Sequence, residues 1–198
     1  LTVVPQVEAV GLGGEDPGVT DTVSWRVGDK WVYAGAFDPT VLVQSAGVDA
    51  TVGTINGDAT TTVDAVTEVD IDGIPTLVYE TSSKADFDKG GVALEGYTGN
   101  LFIQYQVDEV RRVSDLAKLS TDLSLNVRYV PYGISSLTQQ IADITISTDY
   151  DPMSENYDFP LRIGETWNTS YVSSTAWSGS SDYITPFPQP TSGANHTN

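Results

Sequence analysis

The sequence predicts an all-β protein: a curved antiparallel sheet of half-barrel or sandwich type, carrying a strand-like N-terminal arm and room for one short helix. Two phrases point there, Val27-Gly28-Asp29-Lys30-Trp31-Val32-Tyr33 and Ile163-Gly164-Glu165-Thr166-Trp167-Asn168-Thr169. In each, a Gly-acid pair turns the chain and a Trp then opens a strand, its indole large enough to anchor one face of a sheet. Between the two phrases the sequence is almost wholly short alternating segments. Its clearest turn is Asp72-Gly73, a pair that supplies the positive φ angles of a two-residue hairpin loop.

Residues 1–10 form an apolar, β-prone stretch in which Leu1, Val3, Val7 and Ala9 alternate with Thr2, Gln6 and Glu8, interrupted by Val4 and Pro5. A spacer rich in Gly and acid follows, so residues 1–21 read as an arm on a flexible tether. The β-domain is assigned to residues 22–172, and its first strands run through Trp25, Val27, Trp31 and Tyr33. Residues 39–43 and 48–55 continue the pattern, and Asn56-Gly57-Asp58 is expected to turn a hairpin. Residues 60–71 and 74–81 flank Asp72-Gly73, and a looser polar segment, 82–91, leads to a strand at 100–107. Val110, Val113, Leu116 and Ala117 share one face at helical spacing, which predicts the short helix over 109–119. Strands resume at 123–132 and 138–147, an acidic turn occupies 149–158, and 159–171 carries the second Trp phrase. From residue 173 the composition shifts to Ser, Gly, Thr and Pro, so 173–198 is expected to be a C-terminal tail or linker.

Nine Lys and Arg against 27 Asp and Glu give a net charge of −18, a field that repels phosphate backbones and anionic lipid heads. Nucleic acid is therefore not an expected partner, and no apolar run is long enough to insert in a membrane. Such an excess of carboxylates suits either high salt or simple solubility. With no cysteine and one histidine, His196, no disulfide framework, Ser-His-Asp triad or His-based zinc cluster can form within one chain. No phosphate-binding or nucleophile-elbow motif is present, and the expectation is a protein that is not an enzyme.

Calcium is the expected cofactor if there is one, because the hard oxygens of Asp149, Asp151, Glu155 and Asp158 fall in one turn-like segment. The competing account is a solvated acidic turn, and for Asp70 and Asp72 the hairpin alone is sufficient. Asn168-Thr169-Ser170 and Asn195-His196-Thr197 are N-glycosylation acceptors, and a strand that buries Trp167 would turn Asn168 outward. Trp31 and Trp167 read as core anchors, whereas Trp177 and Tyr183 lie in the polar tail and are candidates for contact with another molecule. The opening at Leu1, with no basic leader, matches a secreted chain after signal removal, so the expected address is extracellular.

The order of the phrases at 27–33, 66–79, 112–117 and 159–167 resembles a loose group of secreted archaeal and bacterial β-domains with a G-D-x-W-x-Y opening and an F-P-L-x-x-G-x-x-W close. These are similar to half-barrel sheets of the lipoprotein-carrier type. The arm, spacer and β-domain together resemble subunits of extracellular filaments assembled by donor-strand exchange. That resemblance implies a cell-surface homopolymer in which Leu1, Val3, Val7 and Ala9 contact a neighbouring subunit. A secreted monomeric carrier of an apolar ligand or glycan is the alternative, and an exported enzyme a third.

Overall fold

The computed structural model describes residues 19–20, 23–40, 50–94, 96–133, 138–162, 166–181 and 193–194. Its strands are β1 (Val19–Thr20), β2 (Lys30–Phe37), β3 (Ala50–Thr51), β4 (Ile55–Ile71), β5 (Ile74–Leu94), β6 (Tyr97–Arg112), β7 (Lys118–Pro131), β8 (Gln139–Ser154), β9 (Leu161–Arg162), β10 (Val172–Ser180) and β11 (Gly193–Ala194). One open antiparallel sheet runs in the order β11-β10-β8-β7-β6-β5-β4-β2, with β3 paired to the far end of β5. β1 and β9 pair with each other apart from it. The expected all-β class and open curved sheet are what the molecule has.

The hairpin at Asp72-Gly73 forms as anticipated: Ile71 pairs with Ile74 across a two-residue loop. Asp72 and Gly73 take φ of 55° and 81°, the left-handed pair that a type I′ turn requires. The Asp70 carboxylate accepts the Gly73 N–H at 2.8 Å, which fixes the loop.

Four expectations are corrected. Asn56-Gly57-Asp58 is no turn but part of β4, paired with Ala36, Gly35 and Ala34 of β2. Residues 82–91 are strand throughout, because Ser83, Ala85 and Phe87 point to the apolar face while Lys84, Asp86 and Asp88 point to water. The 109–119 stretch is not helical; β6 runs to Arg112 and β7 begins at Lys118. The turn between them is closed by the Leu116 N–H on the Arg112 carbonyl (2.9 Å), by Leu116 at φ 60°, and by an Arg112–Asp115 ion pair. Residues 99–111 of β6 pair with β5 on one side and β7 on the other, and a three-turn helix with one apolar face cannot match that pairing. Finally, residues 173–180 belong to β10, hydrogen-bonded to β8, so the sheet continues past the boundary set at 172.

The buried residues form two clusters at opposite ends of the long strands. One gathers Ala50, Val52, Ile55, Val92, Leu94, Leu101 and Tyr129. The other gathers Val63, Tyr79 and Leu116, with Trp25, Trp31, Val113 and Phe159 packed against them. Each exists because a non-sheet segment lies over the sheet and removes apolar area from water.

Candidate functional site: an apolar groove beside an open edge

Between the two clusters nothing among the described residues covers the β2 side of the sheet. β4 shows this along a single face: Ile55 is buried, Gly57, Ala59 and Thr61 are half-exposed, and Val63 is buried again. The result is an open groove of about 510 Å³.

Register builds it. Tyr33, Ala59, Ala85, Tyr105 and Leu125 stand in one row across β2, β4, β5, β6 and β7. Alternation points the residues two positions away, Gly35, Gly57, Phe87 and Ile103, to the same side. Small side chains near β2 thus give way to bulky ones toward β6, and the hollow deepens at the edge.

The two glycines facing each other, Gly35 and Gly57, differ in one respect. A Cβ on Gly57 would overlap the Phe87 ring, which lies across that backbone. A Cβ on Gly35 would meet no atom of the described residues within 4 Å. One glycine is closed by an aromatic ring of its own chain, and the other looks into empty space. This also explains why Asn56-Gly57-Asp58 imitates a turn in the sequence: the glycine serves a close approach, not a positive φ.

Chemically the groove is almost inert. The Thr61 and Ser83 hydroxyls bond each other at 2.7 Å across β4 and β5. Burial, with the Glu109 carboxylate adding to it, pushes the Tyr105 phenol above its ordinary value, so it stays neutral at physiological pH. Among the described residues no carboxylate, histidine or cation lines the groove. Such a surface can hold an apolar side chain or molecule by burial and shape.

β2 is the last strand on this side, and among the described residues its outer edge has no partner. Its backbone N–H and C=O groups on that edge are a template for another strand. The opposite margin differs: β10 reads Val-Ser-Ser-Thr-Ala-Trp-Ser-Gly-Ser and is already paired with β11 at Ala176 and Trp177.

The sites expected from sequence fare unevenly. Leu1, Val3, Val7, Ala9, Tyr183 and Asn195 lie outside the described residues. Asp149 and Asp151 sit inside β8, opposite Ser174 and Val172 of β10, and not in a turn. Glu155 is engaged by Arg112 at 3.0 Å and Asp158 is exposed. Among the described residues no three Asp, Glu, His or Cys side chains assemble as a metal-binding group. Strand geometry spreads acids that adjacency in sequence suggested would converge.

Trp167 is 39% exposed and lies in a non-strand segment, which corrects its reading as a core anchor. Asn168, Thr169 and Ser170 are exposed as well, so the acceptor is accessible because it lies in a surface loop, not because a strand turns it outward. Trp31 does pack in the core, its ring 5.1 Å from that of Trp25. Trp177 belongs to β10, in a row with Leu123 and Ile146. The groove itself is the feature that sequence reasoning missed; its signal is the set of small residues at 35, at alternate positions 57, 59 and 61, and at 83 and 85.

No protein-family model matches the chain, and no curated protein or solved structure matches it.

Proposed function

We propose that the protein is an extracellular structural subunit that polymerises by strand exchange, each copy's N-terminal arm completing the sheet of the next. The observation that carries this reading is the coincidence of an edge strand with no outer partner among the described residues and an apolar groove lined by that same strand. An open edge alone invites uncontrolled aggregation, and an apolar hollow alone loses nothing by binding a small molecule. Together they match what an added strand brings, main-chain hydrogen bonds on one side and alternate apolar side chains beneath. Residues 1–10 have the alternating apolar pattern of such a strand, and a Gly-rich sequence follows them. A contact between unlike surfaces need not close, and repeated it makes a fibre. The extracellular address draws on the two glycosylation acceptors, of which Asn168 is exposed.

The test is negative-stain microscopy with light scattering on the full chain and on a chain lacking residues 1–10. Filaments from the first and soluble folded monomers from the second are expected; filaments from both would refute the reading. A carrier of an apolar molecule is the second reading, favoured by a groove volume within the range of ligand sites. It requires a monomer that co-purifies with an apolar compound.

A further inference from the structure

We propose that the acceptor for the exchanged strand is the β2 edge, and that the empty space over Gly35 is the seat of one apolar side chain from residues 1–10 of a second copy. The proposal rests on the strand-exchange reading and specifies its site.

The two margins of the sheet are not equivalent receivers. β10 offers a Ser-rich surface and is partly occupied by β11. β2 offers Trp31, Tyr33 and Gly35 on the groove side, with nothing hydrogen-bonded beyond them among the described residues. A strand laid on β2 gains backbone pairing and apolar burial at once, whereas on β10 it would gain pairing with little burial.

Length agrees. β2 has 8 residues, about 27 Å of strand, and the ten-residue arm extends to about 33 Å. Between the arm and β1, residues 11–18 span at most about 28 Å, enough to carry the arm away from its own domain. Pro5 sets the orientation. Having no N–H, it must occupy a position whose amide side faces away from β2, so Val4 and Gln6 supply the backbone bonds to the edge. Val3 and Val7 then share a face with Pro5, and that face lies on the groove.

Gly35 and Gly57 make the site selective. The Phe87 ring already fills the space over Gly57, while the space over Gly35 is vacant, so a β-branched side chain from the arm drops onto Gly35 beside the Phe87 ring. The Cβ space at Gly35 is open and its φ is ordinary, so a larger residue there folds normally and occupies the seat in place of the arm.

Two experiments test this on the full chain. Gly35→Leu is expected to retain the melting temperature and circular dichroism of the parent while abolishing filaments; Ser180→Leu, on the β10 margin, is expected to leave filaments intact. If Gly35→Leu still polymerises but deletion of residues 1–10 does not, the acceptor is assigned wrongly and strand exchange stands. If the deletion polymerises, strand exchange itself fails. The chain has no cysteine, which makes the second experiment clean. Copies bearing only Gly35→Cys are mixed with copies bearing only Val3→Cys or Val7→Cys and oxidised. A disulfide between the two kinds of copy is expected; its absence with both partners overturns the proposal.

Discussion

The two ends of the long strands and the stretch between them share one sheet face but are built oppositely. At the ends, segments outside the main ladder are bonded down onto the sheet. The Thr40 hydroxyl accepts the N–H groups of Val52 and Gly53, both at 3.0 Å, and β3 pairs with the end of β5. At the other end the Gly28 N–H reaches the Val63 carbonyl at 2.8 Å, and the Trp25 N–H reaches the Tyr79 hydroxyl at 3.1 Å. Under these caps the sheet presents Ile55, Val63, Tyr79 and Tyr129, each less than 4% exposed. In the uncapped middle it presents Gly35, Gly57, Ala59, Thr61, Ser83 and Ala85. Bulk fills the capped ends, whereas in the uncapped middle these small side chains leave a hollow walled by Tyr33, Phe87, Ile103, Tyr105 and Leu125.

If that contrast is right, substitutions at the ends unfold the protein and those in the middle do not. The largest effect is expected at Tyr129, 2% exposed, whose hydroxyl donates to the Tyr97 carbonyl at 2.8 Å. Tyr129→Ala should lower stability by about 3–5 kcal/mol in urea titration, the usual loss for a buried aromatic. Tyr105→Ala, one strand away in the groove, should cost less than half as much. Equal losses would mean that the middle is core after all.

Next comes Gly57→Ala. The new methyl meets the Phe87 ring, and displacing that ring against its neighbours is expected to cost about 1–3 kcal/mol. Retained stability would show that Phe87 is free to move and that the groove has no firm wall.

A third test concerns how the cap over Val63 and Tyr79 is fastened. Glu109 takes Lys118 at 2.6 Å and Arg111 at 2.7 Å, and Arg111 in turn donates to the Leu116 carbonyl at 3.3 Å, joining the β6–β7 turn to the sheet. Burial pushes the Glu109 carboxyl up, but these two cations outweigh it and hold it below the usual carboxylate range. A folded pKa lower than the unfolded one, about 4.3, means stabilisation that is present above that pH and lost as pH falls through the folded value. Glu109→Gln should therefore flatten the acid limb of the melting-temperature profile below about pH 4.3. An unchanged acid limb would place the linkage on other carboxylates.

Sequence alone reveals the features that depend on neighbours in the chain. Asp72-Gly73 declares its hairpin because positive φ at two successive positions is a local demand. Trp31 is legible as an anchor because its indole stands in a strand beside apolar neighbours, but the same reading fails at Trp167, which is 39% exposed outside any strand. The strand at 82–91 was within reach, since Ala85 and Phe87 alternate with Lys84, Asp86 and Asp88, but its polar face disguised it. The helix expected over 109–119 rested on four residues whose spacing suits a helix, whereas pairing with β5 and β7 decides the conformation, and that pairing is not local. The groove was illegible for a different reason. Glycine and alanine carry no chemistry to announce a site, and only the register of three strands, β2, β4 and β5, brings Gly35, Gly57, Ala59 and Ala85 side by side. The acids at 149–158 err the other way, close in sequence but separated by the strand.

The smallest expected effect is the most informative about the groove. Gly35→Ala adds a methyl to a position with ordinary φ and nothing within 4 Å among the described residues. Replacing glycine where the backbone already suits alanine restricts the unfolded chain and gains up to about 1 kcal/mol, since the folded state resists nothing. Gly35→Ala should thus leave the urea midpoint unchanged or raise it slightly, in contrast to the loss at Gly57 directly across the ladder. Glycine at 35 then has no use within the isolated fold, and the space above it is left for something outside the domain. A loss comparable to that of Gly57→Ala would show the space over Gly35 to be filled by the chain's own atoms in solution.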